Sequence, residues 1–464
     1  MIPKPAPTAH SPQPTLKKLL YISHRPAYPP DKGERVRAYH QIRQLSGAFE
    51  VTLATLLHGP DEGRDLGPLP TWCKRVIVAQ AAGRMGVVRH PLRLARGASL
   101  TELWFTSRPM DTALADLCRQ ERFDVVMGYC SSVLPYLRTP LRGGYGNLPA
   151  PVRVLDLVDI DSAKWLSYAS AARGPLRWPM RWLYRRETAA VAKLERETLD
   201  HCQAVFVTSD AEAALLARDA GVPPSQTPAE RHDVPLWPAQ RGRDARDTNN
   251  VHVVGNGVDS DYFTPGLPVG DDHPSIVFTG TMDYRPNAEA VCWFASDVWP
   301  ALRRDWPTLQ WNIVGRDPLP AVRVLAKLPG VNVTGSVPDV RPFLRTASLA
   351  VVPLRTARGI QNKILEAMSA GLPVAATSET LKGITARVGE EVFQADEPSQ
   401  WIACVSALLK DAPRRAAAGQ AARARILEHY AWPAQLKPMV SLIENLADAN
   451  SADAHPDRAE DDHG

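Results

Sequence analysis

The chain has 464 residues, 44% of them hydrophobic and 22% charged, and its formal net charge is +4. This length exceeds what one hydrophobic core normally supports and predicts two domains of ordinary globular composition. The small charge does not indicate a nucleic-acid partner, and the six scattered cysteines, with no C-x-x-C pair, argue against a zinc site or a disulfide framework.

The N-terminal 15 residues are polar and rich in proline, which predicts a disordered segment rather than a signal peptide. No run of about 18 or more apolar residues marks a transmembrane helix. These features predict a cytoplasmic protein.

Short apolar runs alternate with helical patterns over residues 16–250, as expected for a parallel α/β domain. Strands are predicted at residues 19–22, 51–55, 76–78, 124–127, 152–157 and 204–208. A helix is predicted over about 34–45, and Ser209 with Glu212 forms the pattern of a capping box before another. Residues of about 221–250 are rich in Pro, Arg, Asp and Gln, which predicts a surface insertion.

The same alternation resumes over residues 251–430 and predicts a second α/β domain. Its strands are predicted at residues 276–280, 311–315, 331–333, 349–353 and 373–376. Residues 449–464 are rich in Asp, Ala and His, and they predict a disordered tail.

Residues 352–377, VPLRTARGIQNKILEAMSAGLPVAAT, predict a strand, a short loop and a helix that ends at Gly371. Backbone amides where such a helix starts can hold a diphosphate. Lys363 adds a positive charge there, and Glu366, one turn later, can accept hydrogen bonds from ribose hydroxyls. The residues expected at this helix start are Gly359, Ile360, Gln361 and Asn362. The alternative is an ordinary βαβ unit with a solvated Glu366.

Three positions in the N-terminal half are further candidates. Gly33, in the first loop, lets backbone approach a donor phosphate or an acceptor closely, although it equally fits a plain helix start. No G-x-G-x-x-G is present, so a nicotinamide dinucleotide is disfavoured. Asp159 and Asp161 spell D-x-D after a predicted strand, and such carboxylates suit Mg or Mn.

Residues 173–186, from Arg173 to Arg186, read RGPLRWPMRWLYRR. Arginines four apart share a helix face, and arginine with tryptophan suits anionic lipid headgroups. We therefore expect this segment to make peripheral contact with the anionic inner face of the plasma membrane. The alternative is a solvated helix whose aromatic residues fill the core, and Pro175 and Pro179 weaken a continuous helix.

The sequence from Glu366 to Val374, EAMSAGLPV, resembles the E-A-M-A-x-G-x-P-V signature of glycosyltransferase family 4. Asn256-Gly257-Val258-Asp259 is similar to the N-G-V-D that opens the C-terminal domain of that family. The resemblance covers about 256–446 strongly. It implies the GT-B fold, with two Rossmann-like α/β domains facing across a cleft and a helix at 431–448 crossing back to the N-terminal domain.

The resemblance also implies roles for particular residues. Gly280 looks like the strand end that enters the donor site, and Arg285 is the best available cation after it. The alternative for Arg285 is a solvated loop arginine. In related enzymes a His or Asp at the end of the strand equivalent to residues 152–157 lines the cleft near the reacting sugar. Asp159 is therefore the first candidate for a general base or an acceptor contact. Asp161 is the second candidate and His24 a rival. GT-B enzymes generally bind donor without a metal, so neither a metal site nor a cofactor is expected.

One departure from the family is clear. The family usually has a second glutamate eight positions before Glu366, where this chain has Arg358. Retention of Glu366 favours nucleotide binding, whereas loss of the other carboxylate alters the contacts with the donor sugar.

Ser23-His24-Arg25-Pro26 and residues 159–165, DIDSAKW, look like sugar transferases of bacterial exosortase (PEP-CTERM) exopolysaccharide clusters. The function predicted is transfer of a hexose-type sugar from a nucleotide-diphosphate sugar to a glycan or polyprenyl-linked acceptor, with retention at the anomeric carbon. The alternatives are a nucleotide-sugar epimerase of similar fold and a non-catalytic scaffold that binds sugar nucleotides or glycans.

Overall fold

A computed structural model describes residues 16–30, 33–59, 62–138, 150–172, 178–219, 250–266, 274–357 and 360–453. The chain divides into two compact units. The first unit comprises Met1–Gly255 and Leu436–Gly464, and the second unit comprises Asn256–Gln435. The sequence had predicted the division near residue 250 and the return near residue 431.

The described residues of the first unit form a parallel seven-stranded sheet in the order β3-β2-β1-β4-β5-β6-β7. The strands are β1 (Lys18–Ser23), β2 (Glu50–Leu57), β3 (Arg75–Gln80), β4 (Val125–Tyr129), β5 (Val152–Val158), β6 (Ala204–Val207) and β7 (Val251–Val253). Strands β1 and β4 are apolar and almost wholly buried, as expected where helices cover both faces of a sheet.

Ten helices of the described residues lie between or after these strands. They are α1 (Gly33–Leu45), α2 (Leu69–Trp72), α3 (Arg84–Arg89), α4 (Pro91–Ala95), α5 (Leu100–Trp104), α6 (Arg108–Gln120), α7 (Leu134–Arg138), α8 (Asp161–Ala171), α9 (Trp178–His201) and α10 (Asp210–Asp219). A short 3-10 helix, Ser131–Val133, precedes α7.

The second unit has a parallel six-stranded sheet in its described residues, in the order β10-β9-β8-β11-β12-β13. Its strands are β8 (Ser275–Thr279), β9 (Gln310–Val314), β10 (Val331–Val333), β11 (Leu349–Val352), β12 (Val374–Ala376) and β13 (Phe393–Gln394). In both sheets the order of the first four strands is that of a Rossmann fold.

The helices of the second unit follow the same alternation. They are α11 (Arg285–Asp297), α12 (Trp299–Asp305), α13 (Pro320–Arg323), α14 (Arg341–Arg345), α15 (Asn362–Ser369), α16 (Ser378–Leu381), α17 (Pro398–Lys410) and α18 (Ala412–Arg425). A 3-10 helix, Val324–Lys327, and a π-helix, Ile426–Tyr430, also occur. The last helix is α19 (Trp432–Asp453), which continues into the first unit from Leu436.

Large aromatic residues fill the core of the second unit. The ring of Trp311 lies 4.9 Å from that of Phe294 and 5.5 Å from that of Trp299, and Trp401 meets Phe294 edge to face at 5.5 Å. Each such side chain removes a large apolar area from water, which makes this cluster a major source of stability.

The predicted strands coincide with observed strands, with ends that differ by a few residues. The tail is different, because α19 continues to Asp453 although disorder was predicted from residue 449. The predicted disordered N-terminus (1–15) and the insertion, apart from Asn250, lie outside the described residues. No described helix combines the length and the apolar character needed to cross a membrane.

Candidate functional site

The central strands β8 and β11 of the second unit are adjacent, and the connections that follow them lead to opposite sides of the sheet. In open α/β sheets, ligands bind beyond the carboxyl ends of strands at such a switch point. Gly280 directly follows β8, and α15 begins ten residues after β11 ends. Gly280 and the start of α15, two parts of the predicted donor site, therefore lie where the topology favours a ligand.

An added Cβ would meet neighbouring atoms at both Gly280 and Gly315. The Gly280 amide donates to the Val314 carbonyl at 3.0 Å, and a Cβ on Gly315 would lie 1.7 Å from the Gly280 carbonyl oxygen. A Cβ on Gly280 itself would lie 2.8 Å from Asn287 Nδ2 and 3.0 Å from Lys363 Nζ. The absence of a side chain at Gly280 thus leaves room for two polar groups beside the strand end.

Lys363 and Asn287 form the centre of this site. Lys363 Nζ donates to Asn287 Oδ1 at 2.5 Å and lies 4.4 Å from the centre of the Phe278 ring. Asn287 is buried, and its amide also donates to the Thr281 carbonyl at 2.9 Å. Burial lowers the pKa of Lys363 to about 7, although the nearby Glu366 carboxylate opposes that shift. An anion that binds here favours the protonated, positively charged form of Lys363.

Glu366 lies one turn after Lys363 in α15 and is partly buried. Burial raises the pKa of its carboxyl group to about 7, and the charge of Lys363 opposes that rise. Within the part of the chain that the structure describes, no group donates a hydrogen bond to this carboxylate. A ligand hydroxyl can therefore satisfy it.

The start of α15 offers backbone donors to an anion. Its N-cap is Gln361, and no described side chain caps the first-turn amides. Ile360 packs against the core of the unit, which fixes the entry to the helix. The helix ends as predicted, with Gly371 in the left-handed region (φ 73°) and its amide bonded to the Met368 carbonyl.

Arg285 was predicted as the cation that follows Gly280 in the donor site. Arg285 is exposed and pairs with Glu289 in its own helix at 2.5 Å. Gly359 and Arg358 lie outside the described residues. Gly33 is the first residue of α1 in the first unit, and the two residues before it are also outside the described part.

The switch point of the first unit holds His24, after β1. The His24 ring stacks on Tyr129 at 5.8 Å and meets Phe105 edge to face at 5.4 Å. Nε2 of His58 lies 2.8 Å from the His24 carbonyl oxygen. His24 is buried, so its position is set by aromatic packing.

Asp161 lies close to His24, whereas Asp159 makes a separate contact. Burial raises the pKa of the Asp161 carboxyl group, and the charges of Lys164 and His24 oppose that rise. Ser131 Oγ donates to Asp161 Oδ2 at 3.3 Å. Asp159 is exposed and accepts from Thr208 Oγ1 at 3.2 Å. Of the three predicted catalytic residues, the structure brings His24 and Asp161 together.

Two buried or half-buried carboxylates hold the start of α8, and the sequence analysis missed both roles. Glu212 Oε2 accepts from the Ile160 amide at 2.7 Å, and Glu195 Oε1 accepts from the Ser162 amide at 3.1 Å. Burial raises the pKa of Glu195 to about 7. The predicted capping box is therefore only half correct: Ser209 Oγ accepts from the Glu212 amide at 3.3 Å, but the Glu212 side chain bonds Ile160.

A buried ion pair in the first unit was also missed. Arg37 Nε donates to Asp156 Oδ2 at 2.8 Å, and Arg37 Nη1 donates to the Gly255 carbonyl at 3.0 Å. Gln41 also donates to Asp156, and Tyr21 donates to Gln41 at 2.6 Å. This network ties β1, α1 and β5 to Gly255, where the first segment of the first unit ends.

The basic aromatic segment from Arg173 to Arg186 is described from Trp178, where α9 begins. Arg173 and Arg177 lie outside the described residues. Among the described residues, His, Cys, Asp and Glu side chains form no group of three suited to a metal ion.

Two Rossmann-like units, each with a parallel sheet and a polar switch point, define the GT-B fold of glycosyltransferases. Residues 273–411 match the family model described as Glycosyl transferases group 1. This match contains Gly280, Asn287, Lys363 and Glu366, and together with the fold it supports a glycosyltransferase. No curated protein matches the chain in sequence.

Solved structures with the same fold are distant in sequence. Sucrose-phosphate synthase from Thermosynechococcus elongatus has 17% identity and a TM-score of 0.59, with 93% of this chain and 100% of that chain covered. HepE of Anabaena in complex with UDP has 12% identity and a TM-score of 0.59, with 92% and 100% covered. WaaG, a glycosyltransferase involved in lipopolysaccharide biosynthesis, has 15% identity and a TM-score of 0.52, with 93% and 99% covered.

Proposed function

We propose that the protein transfers a hexose from a nucleotide-diphosphate sugar to a glycan or polyprenyl-linked acceptor, with retention, as a family 4 enzyme of bacterial exopolysaccharide synthesis. The observation that carries the proposal is the contact of Lys363 with Asn287 beside Gly280. One turn further along α15 lies the Glu366 carboxylate, to which no described residue donates a hydrogen bond. The resemblance in sequence supplies retention and the exopolysaccharide role.

The second unit binds the donor in this proposal. Lys363 and the first-turn amides of α15 bind the diphosphate, and Glu366 accepts hydrogen bonds from the ribose hydroxyls. As the sugar–phosphate bond breaks, charge accumulates on the leaving diphosphate, and Lys363 stabilises it in a partly dehydrated site. No resident metal takes part in this scheme.

The first unit supplies the acceptor side. Asp161, whose pKa is raised by burial, is the candidate to receive a proton from the acceptor hydroxyl, and His24 favours the ionised form of that carboxylate. Asp159, which is exposed at the same strand end, is the candidate acceptor contact.

Uridine diphosphate is the first nucleotide to test. HepE has been solved with UDP and with UDP-glucose, and it shares the fold of this chain. Arg358 replaces the carboxylate that the family commonly directs at the donor sugar, so the sugar specificity is expected to differ from that of relatives that keep the glutamate.

The decisive experiment compares Glu366→Gln with Glu428→Gln, which changes an exposed glutamate of the same unit. UDP and GDP affinities are measured by calorimetry, and sugar transfer is measured with membranes that contain polyprenyl-linked glycan. We expect Glu366→Gln to lose roughly tenfold to a hundredfold in nucleotide affinity, because a charged hydrogen-bond acceptor is removed. The control is expected to behave as wild type.

The same assay separates the alternatives. Release of UDP or GDP that requires acceptor supports the transferase. Conversion of the donor to an epimer without acceptor would indicate an epimerase, and binding of nucleotide sugars without any turnover would indicate a scaffold. Equal affinities of the two variants would refute the donor-site assignment.

A further inference from the structure

An exposed apolar surface lies on α3, α4 and the start of α9 in the first unit. We name it the α3–α9 surface, and it comprises Met85, Val88, Leu92, Trp178, Met180 and Trp182. Val88 and Leu92 are 69% and 71% exposed, and Trp178 and Trp182 are 61% and 59% exposed. A cluster of exposed large apolar side chains on neighbouring elements marks an interaction surface rather than a solvated face.

The charges within this surface are positive. Residues 84–96, RMGVVRHPLRLAR, contain Arg84, Arg89, Arg93 and Arg96, all exposed, and no acidic residue. Arg181 and Arg185 are exposed on α9 beside the tryptophans. Hydrophobic and cationic side chains therefore alternate on both α3–α4 and α9.

The two parts of the surface are joined by hydrogen bonds. Arg186 on α9 donates to the Leu94 carbonyl at 2.5 Å and to the Ala98 carbonyl at 3.0 Å. Because residues four apart share a helix face, Trp182 lies on the side of α9 from which Arg186 reaches α4. Glu187 also accepts from the Leu100 amide at 2.8 Å, which fixes α5 to α9.

Acidic groups near the surface are already paired or buried. Glu102 accepts from Arg93 at 2.5 Å, and Glu197 lies 3.9 Å from Lys193. Glu187 is buried beneath the amides that it caps. The net charge that the surface presents is therefore positive.

We propose that the α3–α9 surface docks the protein on an anionic lipid bilayer. Exposed aliphatic side chains such as Val88 and Leu92 gain most from an acyl-chain boundary, while the surrounding arginines match anionic headgroups. A nucleic acid would use the arginines and tryptophans but leave the aliphatic side chains in water. This docking adds α3 and α4 to the membrane contact expected from the sequence on α9, and it does not depend on the proposed sugar transfer.

The test is cosedimentation of the full-length protein with vesicles of phosphatidylcholine alone and of equal parts phosphatidylcholine and phosphatidylglycerol. One variant combines Val88→Ser with Leu92→Ser, and its control combines Val324→Ser with Val388→Ser, which are 56% and 57% exposed in the second unit. A further variant combines Arg89→Gln with Arg96→Gln. Exposed substitutions of this kind leave folding nearly unchanged, which circular dichroism checks.

Wild type and control are expected to bind the phosphatidylglycerol vesicles, and binding is expected to weaken as salt rises. The serine pair is expected to lose at least tenfold in partitioning, since two apolar side chains no longer enter the bilayer. The arginine pair is expected to lose about fivefold for each arginine removed.

Failure of wild type to bind phosphatidylglycerol vesicles, or equal binding by the serine pair and its control, would overturn the proposal. Binding to RNA in place of vesicles would also overturn it. Because the assay contains no sugar nucleotide, vesicle binding without sugar transfer contradicts only the proposed function. Conversely, sugar transfer to a soluble acceptor without vesicle binding contradicts only the docking.

Discussion

Replacing Lys363 by methionine tests whether its burial serves anion binding. Burial lowers the pKa of Lys363 from 10.5 to about 7, so between these pH values the unfolded chain binds more protons than the folded chain. The lysine therefore makes the free energy of unfolding rise with pH in that range. Methionine has a similar length and does not titrate, so this contribution disappears in the variant.

The magnitude follows from the shift. One unit of pKa corresponds to about 1.4 kcal/mol, and between pH 8 and pH 10 the linkage amounts to roughly 2–3 kcal/mol. Urea unfolding at both pH values is expected to show wild type gaining this much relative to Lys363→Met. Groups that titrate alike in both proteins cancel in the comparison.

Binding provides the second readout. A bound diphosphate is expected to restore the charge of Lys363, so UDP binding at pH 8 takes up as much as one proton. Calorimetry in buffers of different ionisation enthalpy measures this uptake, which Lys363→Met abolishes. The variant is also expected to bind UDP roughly tenfold to a hundredfold more weakly, because a charged hydrogen bond is lost.

The matched control is Lys327→Met, which changes an exposed lysine of the same unit and is expected to resemble wild type in both assays. Parallel stability profiles for wild type and Lys363→Met, together with equal UDP affinity and equal proton uptake, would refute the reasoning.

Three further predictions follow from other contacts. Gly280→Ala displaces Lys363 and is expected to weaken UDP binding about tenfold in a folded protein, as measured by calorimetry. The Cβ of Gly315→Ala would lie 1.7 Å from a backbone oxygen, so this variant is expected to prevent folding of the second unit, as measured by circular dichroism. Arg37→Met leaves the buried Asp156 unpaired and is expected to cost about 3–5 kcal/mol in urea unfolding, so a loss under 1 kcal/mol would contradict the network. Asp161→Asn is expected to lower kcat/KM about a hundredfold and to leave UDP affinity unchanged. It is also expected to remove the acid limb of the pH profile of kcat/KM, which in wild type lies above pH 3.8 because burial raises the pKa of Asp161. An unaltered pH profile would exclude Asp161 as the base.

The placement of Lys363 and Glu366 on one helix was predictable from the sequence because its signals are local. Lys363 and Glu366 lie one turn apart in a helix whose end at Gly371 is set by its own backbone conformation. Asn287 escaped prediction, since it joins Lys363 across 76 residues through a contact that no spacing reveals.

The surroundings of the candidate residues in the first unit were less predictable, because they depend on contacts distant in sequence. Asp159 and Asp161 follow the same strand and interact electrostatically. Asp159 is exposed, whereas Asp161, at the start of α8, is partly buried and lies within the influence of the His24 charge. The partners that fix this helix, Glu195 and Glu212, come from α9 and α10, and their roles depend on packing between helices.

The first-turn amides of α8 and of α15 differ in whether side chains of the chain itself satisfy them. The amides of Ile160 and Ser162 form the positive end of a helix, the feature that attracts phosphate in many α/β proteins. Here Glu212 and Glu195 occupy those donors. Carboxyl groups of the chain itself thus occupy the amides that a phosphate would need at this helix, while α15 keeps its amides free of any described side-chain cap. The two units share one architecture, but carboxylates of the chain take the place of a phosphate at α8 and not at α15. The two helix starts are therefore expected to differ in their preference for anions.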